Sequence, residues 1–283
     1  MKVKAYLDLM RAPAALTVLG DSIVGAIWSG RPLTGRRLAL PLASALLYWS
    51  GMVLNDWADR ERDAIERPER PIPSGQVPAG TALATAATLA GAGLATATAA
   101  AGRDGLTAGG RIALCVATYD LAAKDTAAGP LVMSSCRFFD VLLGAGPNHR
   151  RALVAASVVG GHTTAITVLS RSEVTGSHRD LPVMVGGMGA AVITAAMLSA
   201  AGRRAAPAAA VYAWSFGPGL FRAWQRPTAE VIRGAVRSGI ASTIAVQAML
   251  AARAPRPHAM LALCGLAIGL RLKVSASKPT EVT

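Results

Sequence analysis

A succession of apolar stretches, each near the ~20 residues that a helix needs to cross a bilayer, sets the framework of this chain. They cover 13–30, 38–57, 80–101, 108–124, 129–146, 151–170, 182–201, 205–222, 231–253 and 257–273. Backbone N–H and C=O groups inside a membrane must pair within the protein, and a helix pairs them within one segment. The sequence therefore predicts an all-α, polytopic transmembrane helical bundle. Short Gly, Pro and Arg clusters between the stretches indicate turns, so we expect one domain over 1–283.

Composition agrees with an integral membrane protein and argues against nucleic acid as a partner. Hydrophobic residues make up 52% of the chain, and the net charge is +13. Lys and Arg are dispersed among the connections and aromatic residues amount to only 5%, whereas a nucleic-acid interface needs a clustered basic patch. Anionic headgroups of a lipid bilayer and a diphosphate suit this charge better. The three cysteines lie in apolar stretches without metal-like spacing, and we expect free thiols.

Three aspartates stand at the end of the second apolar stretch, where unpaired carboxylates are costly. Asp56, Asp59 and Asp63 are three and then four residues apart, which places them on roughly one face of a helix. Like charges at this spacing repel each other, and a bridging divalent cation relieves the repulsion. Because Mg²⁺ prefers oxygen ligands and binds carboxylates together with phosphate, the spacing predicts a metal–diphosphate clamp. The alternative is a charged helix end with a solvated network of ion pairs.

The prolines within 67–75 prevent this helix from continuing. We expect a stiff loop that holds Arg67 and Arg70 near the carboxylates, where planar guanidinium groups suit phosphate oxygens. A juxtamembrane loop that only anchors the topology is the alternative.

The residues from Asn55 to Gly75 resemble the first aspartate-rich signature of UbiA-type membrane prenyltransferases, most closely the form found in chlorophyll synthases. The resemblance implies about nine spans around a central lipid-accessible cavity, so one of the last apolar stretches is expected to be re-entrant or interfacial. It also implies Mg²⁺-dependent transfer of a prenyl chain from an allylic isoprenoid diphosphate to a lipophilic acceptor of aromatic, quinone or tetrapyrrole type. Asp56, Asp59 and Asp63 are then the expected Mg²⁺ ligands and catalytic residues, and Asn55 is expected to bind substrate.

Tyr119 and Lys124, at the end of the fourth apolar stretch, are similar to the Tyr-xxx-Lys element that family members carry at the equivalent helix end, where the Lys contacts the diphosphate. We expect the two side chains one above the other, with Lys124 catalytic and Tyr119 binding substrate. The alternative is interfacial anchoring, because Tyr and Lys are common at membrane boundaries.

The chain departs from the family pattern after the sixth apolar stretch. Family members usually carry a second aspartate-rich motif there, which provides a second Mg²⁺ site, whereas the segment 170–180 contains no DxxxD. We expect Glu173 to replace a carboxylate ligand and Arg171 to neutralise phosphate directly, with a plain polar loop as the alternative. His162, within the sixth stretch, is expected to be a hydrogen-bonded interior histidine rather than a base.

Asp21, Arg137 and Asp140 lie within apolar stretches, where ionisable groups usually face the bundle interior or a cavity. Arg137 is expected to reach the diphosphate, and Asp21 is expected to line the acceptor cavity. The alternative is a structural ion pair between Arg137 and Asp140, which have helical i, i+3 spacing.

Together these features predict a multi-pass prenyltransferase of the cell membrane. The resemblance and a modest positive-inside bias, which places the N-terminus in the cytoplasm, together indicate a cytoplasmic active face. Two alternatives stay open. One is a family-like protein that binds or carries an isoprenoid or related lipophilic precursor without transferase activity. The other is a secondary transporter that uses the buried charges as a coupling site.

Overall fold

The computed structural model describes residues 2–11, 15–200, 202–256 and 258–276, and within these ranges every regular element is helical. The helices are α1 (Lys2–Leu9), α2 (Leu16–Ser29), α3 (Leu40–Ala58), α4 (Arg60–Glu66), α5 (Ala79–Thr118), α6 (Gly129–Ala145), α7 (His149–Ser170), α8 (Asp180–Ala200), α9 (Ala206–Gln225), α10 (Ala229–Ala251) and α11 (His258–Ala276). Short 3₁₀ turns precede α3, α7 and α9, and a π-helical turn, Tyr119–Ala123, follows α5. The predicted all-α fold is confirmed.

The chain divides into two compact units, 1–156 and 157–283. The single domain over 1–283 stays a prediction.

In the first unit, Gly102 divides α5 into two arms that correspond to the predicted stretches 80–101 and 108–124. Its φ of 63° lies in the left-handed region, which glycine adopts without steric cost. The arms then pack closely, because a Cβ placed on Gly105 would lie 2.0 Å from the carbonyl oxygen of Ala97. Small residues at this bend are therefore required for two adjacent helical segments to approach each other.

Two further glycines let α2 and α6 cross in backbone contact. A Cβ on Gly25 would lie 1.8 Å from the carbonyl oxygen of Val141, and one on Gly144 would lie 1.9 Å from that of Ser22. Small residues at helix crossings are the usual means of close packing in membranes. The polar residues of α2 and α6 are consequently brought within hydrogen-bonding reach of each other.

The core of the first unit lies between α3 and α5. Leu40 and Leu47 of α3 are buried with Ala97 and Ile112 of α5 and with Leu143 of α6. This packing fixes the direction of α3, and α3 delivers the aspartates to one end of the unit.

The second unit is built around α10, whose residues 244–251 are all buried. His162 of α7 is fully buried: its Nδ1 lies 3.1 Å from the hydroxyl of Tyr212, and its Nε2 lies 3.2 Å from the carbonyl oxygen of Gly239. This is the hydrogen-bonded interior histidine that the sequence predicts.

Four helical stretches in the described ranges are long and apolar enough to cross a membrane: Gly35–Ala58, Ala79–Ala123, Gly129–Ser170 and Asp180–Ser199. Two of them contain an interior glycine with positive φ, Gly102 or Gly146, at which the backbone departs from helical geometry. The number of spans and the central cavity therefore stay predictions.

Candidate active site

The three aspartates lie where α3 gives way to α4. The N–H of Asp59 donates to Asn55 O at 2.9 Å and the N–H of Asp63 donates to Asp59 O at 2.8 Å, so helical bonding continues across the junction. Asp56 and Asp63 are only 5% and 3% exposed, and the side chain of Asp59 is 16% exposed. The solvated helix end considered above is therefore wrong for Asp56 and Asp63, whose carboxylates face the protein.

Arg70 lies between the two buried carboxylates. Its Nη1 is 2.5 Å from Asp63 Oδ2 and 3.3 Å from Asp56 Oδ1. The proline-containing loop that carries Arg70 is fixed by the burial of Ile72 and Val77. Two carboxylates on successive helices thus converge on a single cationic nitrogen.

A second guanidinium reaches Asp56 from the N-terminal segment, which sequence reasoning missed. Arg11 Nη2 lies 3.0 Å from Asp56 Oδ1. The sequence offered no signal for this contact beyond a basic residue ahead of the first apolar stretch, because the contact depends on where α1 docks.

Asp59 pairs with cations other than Arg11 and Arg70. Lys124 Nζ lies 2.5 Å from Asp59 Oδ1, and Arg62 Nη1 lies 3.8 Å from the same oxygen. Arg62 also donates to Asp125 Oδ2 at 2.9 Å, and this hydrogen bond raises the pKa of the Arg62 guanidinium above its usual value. The charge of Arg62 is therefore constant across the physiological pH range.

The π-helical turn explains how Tyr119 and Lys124 share one end of α5. They are five residues apart, one more than in a Tyr-xxx-Lys element. The N–H of Lys124 donates to Tyr119 O at 2.9 Å, which is the i to i+5 bond of a π turn. The turn absorbs the extra residue and directs Lys124 to Asp59.

Asp120, inside this turn, is a site residue that sequence reasoning missed. It is 5% exposed, and its Oδ1 accepts a hydrogen bond of 3.0 Å from Asn55 Nδ2. Asn55 thus connects α3 to the π turn. A carboxylate at the end of an apolar run was the signal available for it.

Arg67 lies at the end of α4, half-buried, and its N–H donates to Asp63 O at 2.8 Å. Within the described residues no ion pair joins its guanidinium to the aspartates. Its predicted contact with phosphate stays a prediction, as does substrate binding by Tyr119.

Arg137 pairs with Asp21, and the alternative pairing with Asp140 is wrong. Arg137 Nε lies 2.7 Å from Asp21 Oδ2, and Arg137 Nη2 donates to Thr17 O at 2.5 Å. Asp140 instead accepts a hydrogen bond from Ser44. The spacing argument failed because the close crossing of α2 and α6 brings Asp21 nearer than the helix's own neighbour. The roles of Arg137 toward diphosphate and of Asp21 toward an acceptor stay predictions.

Arg171 and Glu173 belong to the second unit, in the turn after α7. The carbonyl oxygen of Glu173 accepts a hydrogen bond of 2.8 Å from Arg233 Nη1, which ties the turn to α10. Their predicted roles as phosphate and metal ligands stay predictions. An open cavity of about 850 Å³ lies beside this turn, lined by Ser172, Thr175, Gly176, Ser177, His178, Asp180, Leu181 and Met184.

The donor set of the first unit suits a hard divalent cation. In the described ranges no three acidic, histidine or cysteine side chains are grouped as metal ligands, and cationic side chains stand among the aspartates. Asp56 and Asp63 nevertheless supply oxygens that converge on one positive group, which is the ligand type that Mg²⁺ prefers. Metal binding by these carboxylates stays a prediction.

Comparison with known proteins identifies the family. The sequence model of the UbiA prenyltransferase family matches residues 17–225, a range that contains Asp56, Asp59, Asp63, Arg70 and Lys124. The chain belongs to the UbiA prenyltransferase family.

Individual relatives match this UbiA family member over a shorter range. Digeranylgeranylglyceryl phosphate synthase of Methanopyrus kandleri is 40% identical over 76 residues, 26% of this chain and 28% of that protein. The Ignicoccus hospitalis enzyme of the same name is 44% identical over 77 residues, 27% of this chain and 25% of that protein. Bacteriochlorophyll synthase 33 kDa chain of Rhodobacter capsulatus is 33% identical over 79 residues, 26% of each. The matched segments thus span 25–28% of the length of these curated relatives.

A solved structure shares the fold over nearly the whole chain. That structure is described as "Structural and mechanistic insights into the biosynthesis of Digeranylgeranylglyceryl phosphate synthase in membranes". Its TM-score with this chain is 0.54 and the sequence identity is 18%, with 95% of this chain and 99% of that one covered. At this identity the likeness shows the fold alone. Membership of the UbiA family and the long apolar helices together support a membrane-embedded protein.

Proposed function

We propose that this protein transfers a prenyl group from an allylic isoprenoid diphosphate to a lipophilic acceptor within the membrane. The observation that carries the proposal is the convergence of two buried carboxylates, Asp56 and Asp63, on one cationic nitrogen of Arg70. Each charge that is removed from water costs free energy, so a buried cluster of charges within a membrane protein favours a functional role over a purely structural one. Membership of the UbiA family supplies the reaction class.

In this proposal Asp56, Asp59 and Asp63 hold Mg²⁺. When bound, Mg²⁺ supplies positive charge that stabilises the diphosphate as the allylic C–O bond ionises. Arg70 and Lys124, which contact these carboxylates, are within reach of phosphate oxygens bound at the same place and share the developing negative charge.

The rest of the reaction depends on positioning. An ionised allylic group needs little assistance from a nucleophile, so the site mainly has to exclude water and orient an electron-rich acceptor. The burial of Asp56 and Asp63 supports a site with limited access for water. The small residues at helix crossings, such as Gly25 and Gly144, let the helices pack in backbone contact, which holds the elements of the site in fixed positions.

The acceptor is proposed to be lipophilic, of aromatic, quinone or tetrapyrrole type. The bacteriochlorophyll synthase relative favours a tetrapyrrole, while the digeranylgeranylglyceryl phosphate synthases add a glyceryl phosphate lipid to the candidates. We further propose that the active face is cytoplasmic, because four arginines follow α3 on that side.

The test is incubation of membranes that contain the full chain with labelled geranyl, farnesyl or geranylgeranyl diphosphate, with Mg²⁺ or with EDTA, and with acceptors of each class. We expect one prenylated product that requires Mg²⁺. Asp56→Asn and Lys124→Met should each reduce its rate at least ~100-fold, because each removes charge aimed at the leaving group.

Glu61→Gln is the matched control, because Glu61 lies in the same acidic stretch but its side chain is 85% exposed and pairs with Arg60. It should retain the wild-type rate. A carrier without transferase activity would give no product with any acceptor, and a secondary transporter would keep substrate uptake after Asp56→Asn. Either result would replace the transferase proposal.

A further inference from the structure

We infer that Arg11 is the counter-ion of Asp56 in the free protein, and that a divalent metal enters the site only together with a diphosphate. The inference rests on the proposed function, because it concerns the metal–diphosphate site named there. It adds to that site a residue from outside the aspartate-rich stretch, and it assigns an order of binding.

The position of Arg11 is imposed by the docking of α1. Ala5 and Leu9 are 3% and 0% exposed and pack in one cluster with Val53 of α3 and Ile72 of the proline-containing loop. The chain then turns at Arg11 with a φ of 46°, a left-handed conformation that residues other than glycine adopt infrequently. The turn directs the guanidinium back toward α3.

The side chains of Arg11 and Asp56 differ strongly in their exposure to solvent. Arg11 Nη2 lies 3.0 Å from Asp56 Oδ1, and the side chains are 42% and 7% exposed respectively. A guanidinium that is nearly half exposed can be hydrated again when it leaves. A buried carboxylate cannot be hydrated in this way, so loss of a cationic partner is costly for Asp56. Arg11 is therefore the partner that can be exchanged, whereas Arg70 is less exposed and bridges two acids.

The ion pairs of the free aspartate cluster already balance, and the nearby buried Asp120 accepts a hydrogen bond from the neutral amide of Asn55. Three carboxylates meet three cationic side chains at 3.3 Å or less: Asp56, Asp59 and Asp63 with Arg11, Arg70 and Lys124. Arg62 stands farther from Asp59, at 3.8 Å, and has its own closer partner in Asp125.

A free divalent cation would add two positive charges to this neutral and largely buried cluster, which Coulomb repulsion opposes. A metal bound to an allylic diphosphate brings a net negative charge instead. Phosphate oxygens would offer the guanidinium groups new acceptors, and Asp56, Asp59 and Asp63 would hold the metal. The balance of charge thus makes binding of metal and diphosphate interdependent.

The test measures metal binding rather than catalysis. The full chain, immobilised in nanodiscs, is equilibrated with ⁵⁴Mn²⁺ with and without inorganic pyrophosphate, and the retained label is counted. Wild-type protein should retain Mn²⁺ at least ~10-fold more tightly with pyrophosphate than without it. Tight retention of Mn²⁺ alone by the wild type would overturn the inference without any variant.

Arg11→Gln leaves the cluster with one excess negative charge. It should retain Mn²⁺ alone about 10-fold more tightly than the wild type, and pyrophosphate should add less. Arg11→Lys keeps the charge and should restore the wild-type pattern. Arg60→Gln is the matched control, because Arg60 contacts the Trp57 ring and exposed Glu61 rather than the buried acids, and it should behave as wild type.

Equal retention of Mn²⁺ alone by the wild type and Arg11→Gln would overturn the role of Arg11. Failure of the proposed function would be seen separately, as an absence of prenylated product from a protein that still retains Mn²⁺ and pyrophosphate together.

Discussion

Asn55 links two elements of the site through one hydrogen bond. Its Nδ2 donates to Asp120 Oδ1 at 3.0 Å, and Asp120 is buried in the π turn. A buried acceptor that loses its donor costs the full desolvation of that group, which exceeds the net value of the bond itself. Asn55 therefore stabilises the junction between α3 and the π turn as well as being a predicted substrate-binding residue.

We predict that Asn55→Ala lowers the free energy of unfolding by about 1–3 kcal/mol, because it leaves the Asp120 carboxylate without this donor. Asp120→Asn should cost less, since its amide oxygen can still accept from Asn55 and an amide is less expensive to bury than a charge. Thermal unfolding of the detergent-solubilised variants measures both. In a double-mutant cycle, the combined variant should be more stable than the sum of the single losses; strict additivity would show that the two side chains are not coupled.

Among the elements, the crossing of α2 and α6 is the most demanding sterically. Gly144→Ala would place a Cβ 1.9 Å from Ser22 O, so the two helices must separate. We predict a loss of about 1–3 kcal/mol in the free energy of unfolding, as for overpacked cores. Gly91→Ala in α5 is the matched control, because a Cβ there meets nothing within 4 Å. It should be neutral or stabilising by up to about 1 kcal/mol through helix propensity. Equal melting temperatures for the two variants would contradict the crossing.

The features that the sequence predicted correctly are local ones, and the features that it missed depend on how helices cross and dock. Apolar runs placed the helices, and i, i+3 and i, i+4 spacing placed Asp56, Asp59 and Asp63 together, because both signals are local. Arg11 and the partner of Arg137 were beyond such reasoning, since each contact joins elements far apart in the chain and depends on how helices dock.

The extra residue between Tyr119 and Lys124 belongs with these non-local features. In a regular α-helix, side chains five positions apart do not lie one above the other. The π turn shows how the chain accommodates a spacing of five between Tyr and Lys where the family element has a spacing of four. A local rule fails here at the site itself, which is where such exceptions concentrate.

For the whole molecule, the distribution of arginines around α3 predicts the orientation in the membrane, because the two ends of α3 lie on opposite sides of one predicted span. Arg60, Arg62, Arg67 and Arg70 follow its C-terminal end, and Arg31, Arg36 and Arg37 precede its N-terminal end. The positive-inside tendency counts Lys and Arg near the span and gives little weight to acids, so ion pairing with the aspartates does not cancel it. The C-terminal end is therefore predicted to be cytoplasmic.

Labelling of single cysteines tests this orientation. In a background with Cys115, Cys136 and Cys264 replaced by serine, Glu61→Cys and Arg36→Cys place thiols at exposed positions beyond opposite ends of α3. A membrane-impermeant maleimide should label Glu61→Cys in inside-out vesicles and Arg36→Cys in right-side-out vesicles. The reverse pattern would place the aspartates on the external face, where a diphosphate made in the cytoplasm would not reach them. Labelling of both variants in one type of vesicle would instead show that α3 does not cross the membrane.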